Sequence, residues 1–166
     1  LNPGITPDSG IFTADRITAL AEGASLAFTG TVPETPCRLQ ITCKPDGGSA
    51  SAPVTLNFAA GAEAAFNVDF GPLAAGRYLA GVLLTDLAGN QAQQEIAFKI
   101  DNTAPAFDSL TISPDLGLSG TDLISSASDY TVNALINEIP VQVTFALNGV
   151  PFPVVNLDAV GLFSKI

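Results

Sequence analysis

Residues 37–43 read CRLQITC, and the segment alternates without a break. Cys37, Leu39, Ile41 and Cys43 fall on one side of an extended chain, Arg38, Gln40 and Thr42 on the other. Successive side chains of a strand point to opposite faces, so a period of two marks a half-buried β-strand rather than an amphipathic helix. The same period continues outward in both directions. Upstream, SLAFTGTV (25–32) sets Leu26, Phe28 and Val32 together. Downstream, PVTLNF aligns Val54, Leu56 and Phe58, and AFNVDF aligns Phe66, Val68 and Phe70. RYLAGVLL then aligns Tyr78, Ala80, Val82 and Leu84, and EIAFKI aligns Ile96, Phe98 and Ile100. Gly, Pro, Asn and Asp punctuate the runs. With a first strand expected near Ile11–Ile17, about seven strands precede Asp101, and no run has a helical period. Short alternating strands at this spacing predict an all-β fold, an antiparallel β-sandwich.

The two cysteines that bracket the opening segment invite a disulfide, yet geometry opposes it. Six residues of extended strand span roughly 20 Å, whereas a bridge needs Cα atoms ~5.5 Å apart. Their shared face with Leu39 and Ile41 predicts buried, reduced thiols acting as small hydrophobes.

A longer pattern sets the domain organisation. ITPDSGIFTADRIT (5–18) returns as ISPDLGLSGTDLIS (112–125), at an offset of 107 residues with no gap. Ile5/Ile112, Pro7/Pro114, Asp8/Asp115, Gly10/Gly117, Asp15/Asp122 and Ile17/Ile124 are identical pairs. An echo at about the length of one domain points to tandem units. The boundary is expected in IDNTAPAF (100–107), where Pro105 cannot continue a central strand. That gives a first domain over 1–103 and a second over 104–166. In the second, Tyr130, Val132, Ala134 and Ile136 alternate, then Val141, Val143, Phe145 and Leu147, and Asn148-Gly149 predicts a hairpin turn. By the offset, Ile166 corresponds only to Ala59, so the second unit is expected to be truncated. Its apolar Val154, Val155, Val160, Leu162 and Phe163 then need cover. A compact reduced domain, strand exchange with another copy and a longer parent protein each supply it. The lack of an initial Met and of a leader-like apolar stretch favours the last.

Composition narrows the function. Hydrophobic residues make up 47% and charged residues 13%, which suits a packed core and argues against disorder. The formal charge is −10. The six cations, Arg16, Arg38, Lys44, Arg77, Lys99 and Lys165, stand singly in the sequence, so no nucleic-acid groove is expected. No apolar run approaches the ~20 residues of a membrane span. His is absent, so Ser-His-Asp, Cys-His and the usual zinc sites each lose a member. Paired carboxylates remain chemically available. No pattern points to them, and a non-enzymatic role is expected.

Four pieces carry a resemblance: PDSGIFTADRIT (7–18), FTGTVPE (28–34), LAAGRYLAGVLLTDLAGNQ (73–91) and IDNTAP (100–105). In this order and spacing they resemble the bacterial Ig-like domains strung in tandem through large surface adhesins and biofilm-associated proteins. TDLAGN after a G-x-Y strand is the most specific piece. The second unit shares the opening phrase and then departs. The resemblance implies an Ig-like β-sandwich followed by a second, partial Ig-like unit, in a secreted or cell-surface setting. It also implies a spacer or adhesive role beside neighbouring repeats of the same chain, often with Ca2+ at domain junctions.

Candidate ligands follow from the sandwich topology, in which the first strand starts at the pole that the B–C and F–G turns close. Asp8, Glu34 of PETP, and Asp86 with Asn90 of the F–G turn are expected to meet at one end of the first domain, with Asp15 an added candidate. The matching end of the second would gather Asp108, Asp115, Asp122 and Glu138, next to Asp101. Calcium takes six to eight oxygens from carboxylates, amides and backbone carbonyls, which suits such loops. Asp and Asn are equally the ordinary residues of turns. No EF-hand spacing is present, and both readings stand. Tyr78 is expected to fill the core and cap a turn through its hydroxyl, as in a tyrosine corner, rather than to offer a sugar-stacking platform.

The leading expectation is therefore a non-catalytic extracellular module of a bacterial adhesin, with a surface protein or glycan as receptor. The alternative is a carbohydrate- or protein-binding accessory module of a secreted hydrolase.

Overall fold

The computed structural model describes all residues except Gly10, Ile11, Thr13, Glu34, Ala62, Pro140, Asn148, 158–161 and Ile166. They form two compact units, Leu1–Asn102 and Thr103–Ile166, and no helix.

In the first unit each alternating run becomes a strand. β1 spans Gly4–Thr6, β2 Ile17–Thr18, β3 Ser25–Val32, β4 Cys37–Pro45, β5 Val54–Phe58, β6 Ala64–Pro72, β7 Gly76–Asp86 and β8 Gln91–Ile100. β1, β3 and β6 make one antiparallel sheet, in the order β1-β3-β6. The second sheet has the order β2-β8-β7-β4-β5, with β2 parallel to β8 and the remaining pairs antiparallel. Leu26, Phe28, Val32, Phe66 and Val68 from the first sheet meet Leu39, Ile41, Val82, Ile96 and Phe98 from the second in one buried core. Phe28, fully buried, lies between Phe66 and Phe70 with ring centroids 6.0 Å from each. Gly30 makes room for this packing, because a Cβ there would come within 2.7 Å of the Phe66 ring.

Cys37 and Cys43 are reduced and buried on the inward face of β4, as their spacing predicts. Burial pushes the Cys43 thiol up to about 11, since a thiolate cannot be hydrated there. The Tyr78 hydroxyl donates to the Ala74 carbonyl at 2.9 Å, and its ring stacks on Phe98 at 5.3 Å. That is the expected corner.

The start of the chain departs from expectation. The first strand precedes the PDSG phrase instead of following it. Pro7 brings no N–H to a ladder, so β1 ends at Thr6. The phrase then loops, and the chain re-enters the fold as β2 on the other sheet.

In the second unit β9 spans Phe107–Ser113, β10 Thr131–Ile136, β11 Val141–Val143, β12 Ala146–Leu147, β13 Val150–Pro151, β14 Val155–Leu157 and β15 Leu162–Lys165. β10 is flanked by β9 and β15, β11 pairs with β14, and β12 with β13. The single strand expected over Val141–Leu147 is divided, because its two halves pair with different partners. β12 and β13 pair antiparallel, with Leu147 opposite Val150 and the Phe145 and Phe152 rings 5.0 Å apart, and Asn148 of the expected turn lies outside the described residues. Among the described residues of this unit Ala134, Ile136 and Val143 are the buried apolar ones, whereas Phe107 and Leu110 are exposed.

Candidate functional site

Among the described residues of the repeated phrase, the same aspartate hydrogen bonds occur twice. After β1, Asp8 Oδ2 accepts a hydrogen bond from the Arg16 N–H at 3.4 Å. After β9, Asp115 Oδ2 accepts from the Leu123 N–H at 3.3 Å, the equivalent position. Asp15 Oδ1 accepts from the Ile17 N–H at 2.9 Å, and Asp122 Oδ1 from the Ile124 N–H at 3.1 Å. Arg16 and Leu123 share a left-handed backbone, with φ of 62° and 60°. Both X-Pro bonds that open the phrase, Thr6-Pro7 and Ser113-Pro114, are cis. Each loop also leaves one buried carboxylate oxygen, Asp8 Oδ1 or Asp115 Oδ1, with no hydrogen-bond partner. A buried acceptor left unpaired costs about 1–3 kcal/mol, and more for a charged group.

These loops do not gather the acids as the sequence suggested. Asp8 follows β1, which runs away from the pole of the β7–β8 turn, and Asp8 bonds to Arg16, whose carbonyl accepts from the Lys99 N–H at 2.9 Å. Asp86 and Asn90 lie at the other end of β8, about 26 Å of strand away from Lys99. Asp8 and Asp15 therefore share one pole, and Asp86 and Asn90 hold the opposite one. Glu34 lies outside the described residues. The cause is the placement of β1 before the phrase.

The same displacement occurs in the second unit. Asp108 stands within β9 near its start, while Asp115 follows its far end. Glu138 follows β10, whose Ile136 pairs with Phe107, so it belongs to the Asp108 end. Asp101, in the first unit, pairs with the Lys99 ammonium. Among the described residues no group of three or more His, Cys, Asp or Glu can share an ion. Each repeated loop contributes two carboxylates.

At the opposite pole of the first unit, Asp86 and Asn90 are turn chemistry. Asn90 N–H donates to Asp86 Oδ1 at 2.8 Å and its side-chain amide to Oδ2 at 2.7 Å. The backbone closes with Asp86 N–H on the Asn90 carbonyl at 3.1 Å, and Gly89 supplies the positive φ of 88°. The side-chain amide of Asn90, with its backbone N–H, holds Asp86 below the usual carboxylate range. TDLAGN is thus a hairpin lock.

Sequence reading missed a cluster of cations. Arg77 pairs with Lys99 across β7 and β8, Lys44 on β4 lies opposite Leu79, and Arg16 precedes β2 beside Lys99. Four cations isolated in the sequence lie together at one end of the larger sheet. A usable signal existed: closing the β7–β8 hairpin at Leu87–Gly89 sets Arg77 opposite Lys99.

The model of the bacterial Ig-like domain family matches residues 4–102. The match covers more than half of the chain and the whole two-sheet sandwich, and the chain belongs to this family. Such domains are generally non-catalytic and typically occur in extracellular or surface proteins. A search of curated proteins gives no match.

Proposed function

We propose that this chain is a non-catalytic spacer segment of a bacterial surface adhesin, in which the repeated Asp loop of each unit takes up a calcium ion. The observation that carries the calcium reading is the orphaned buried oxygen at the same position of both loops, Asp8 Oδ1 and Asp115 Oδ1. A hard cation would satisfy that oxygen and neutralise the second carboxylate, Asp15 or Asp122. Two carboxylates are few for calcium, so backbone carbonyls and water complete the shell. Affinity then falls in the weak range of extracellular modules, about 10⁻⁴–10⁻³ M. The adhesin setting is supported by the family and by the second use of its entry phrase in one chain.

The test is thermal unfolding of the whole chain in EDTA and in 10 mM calcium. A calcium-dependent rise in Tm that disappears in Asp8→Asn and Asp115→Asn together supports the reading. Equal Tm values in both buffers would sink it.

A further inference from the structure

In a protein of charge −10, four of the six cations occupy one end of the β2-β8-β7-β4-β5 sheet. Tyr78, Ala80 and Val82 point into the sandwich, so Arg77 and Leu79 point out; Lys99 lies between buried Phe98 and Ile100 and also points out. Lys44 follows buried Cys43 and shares the outward face. Arg77 and Lys99 are direct cross-strand partners, a like-charge arrangement that is unfavourable without an anion nearby. Asp101 answers Lys99. Arg16, Lys44 and Arg77 form no ion pair among the described residues.

Two shallow clefts meet at Arg77, Tyr78 and Ala97. One, of about 260 Å3, is lined by Lys44, Asp46 and Leu79 as well, and the other, of about 210 Å3, by Asp15, Arg16 and Lys99. Each falls below the ~300 Å3 at which drug-sized sites begin, so each suits one small unit of a repeating ligand. We infer that this face binds an acidic oligosaccharide that carries spaced carboxylates, a uronate type. The Arg77 guanidinium holds one carboxylate between the clefts, bidentate, and flanking sugar rings lie over Leu79 and Ala97.

Charge selects among anions. Asp15 and Asp46 line the same clefts and Asp101 pairs with Lys99, so the local excess is a single positive charge. Densely charged polymers such as DNA or sulfated glycans bring more negative charge than this face can neutralise. A peptide is disfavoured for another reason. Extended peptides bind best by adding a strand to a sheet edge, and β7 is paired on both sides.

The test is isothermal titration of the 166-residue chain, in EDTA, with hexagalacturonate and with a neutral galactose hexamer. The expected result is binding of the uronate only, weakened by salt. Arg77→Gln and Arg77→Ala, with Tm unchanged, should weaken it about tenfold to a hundredfold, the loss of a charge-assisted hydrogen bond. Arg38→Ala, on the same strand as Lys44 but toward the other pole, should leave binding intact. Equal binding of the two hexamers, no binding at millimolar concentration, or an unchanged Arg77→Gln variant overturns the inference. So does tighter binding of a heparin hexamer or a DNA oligonucleotide, or Arg77-dependent self-association without sugar. Because calcium is absent throughout, failure here leaves the calcium loops untouched.

Discussion

The two copies of the repeated phrase share their aspartate hydrogen bonds and have different fates. In the first, the chain leaves the loop as β2 and pairs with β8, and Thr18 becomes fully buried. Ser9 satisfies that hydroxyl, with Oγ to Oγ1 at 2.8 Å. In the second, Leu116 stands in place of Ser9, Ile124 is 66% exposed, and no strand pairs with Ile124–Ser125 among the described residues. Asp8 and Asp115 nevertheless make equivalent hydrogen bonds. Loop geometry is therefore encoded within the phrase, while burial comes from a strand some eighty residues downstream.

The largest test of this contrast is in the core. Phe28→Ala should cost about 3–5 kcal/mol in urea denaturation, the usual range for a buried Phe. Val132, half-buried and opposite Ile112 as Phe28 is opposite Ile5, should cost no more than about 2 kcal/mol when cut to Ala. Equal losses would mean that the second unit is as tightly packed as the first. Thr18→Val is next, at about 1–2 kcal/mol, because it leaves the Ser9 N–H without its acceptor while the Ser9 hydroxyl keeps Ala19; Ser125→Ala should cost less than half of that. Calcium comes third. At 10 mM ion and a Kd near 1 mM, linkage gives about 1.4 kcal/mol. Asp8→Asn should remove it from the unfolding of the first unit, and Asp115→Asn from that of the second.

Two smaller effects concern pH in the first unit. Cys43 has a folded pKa raised from 9.0 to about 11, so its stabilising share is complete below 9 and lost as pH rises toward 11. Native-state alkylation at pH 8 should be slow and should become rapid in urea. Asp86 has a depressed folded pKa, so its share is present above the unfolded value near 4 and lost as pH falls through the folded value. The Tm difference between wild type and Asp86→Asn should therefore shrink below about pH 4.

Much of the sandwich was legible because its core alternates strictly. Leu39 and Ile41 on β4 and Ile96 and Phe98 on β8 are inward in the structure as in the pattern. The Tyr78 corner was legible too, since G-x-Y places the ring at the start of a strand. What failed was long-range. Nothing local says that Gly4–Thr6 is a strand or that β2 crosses to the opposite sheet, and this error moved Asp8 to the wrong pole. The cations were hidden for the same reason: Lys44, Arg77 and Lys99 become neighbours only through strand register.

The parallel pairing of β2 with β8 has a consequence for tension. Near the start of the first unit, Arg16 and Thr18 carbonyls accept from Lys99 and Asp101 N–H groups at 2.9 and 2.8 Å, at its end. When the unit is pulled by its two ends, parallel strands slide past one another instead of peeling apart. These bonds bear the load in shear and must break together. A tether built of such units would hold until a threshold force and then yield abruptly, one unit at a time.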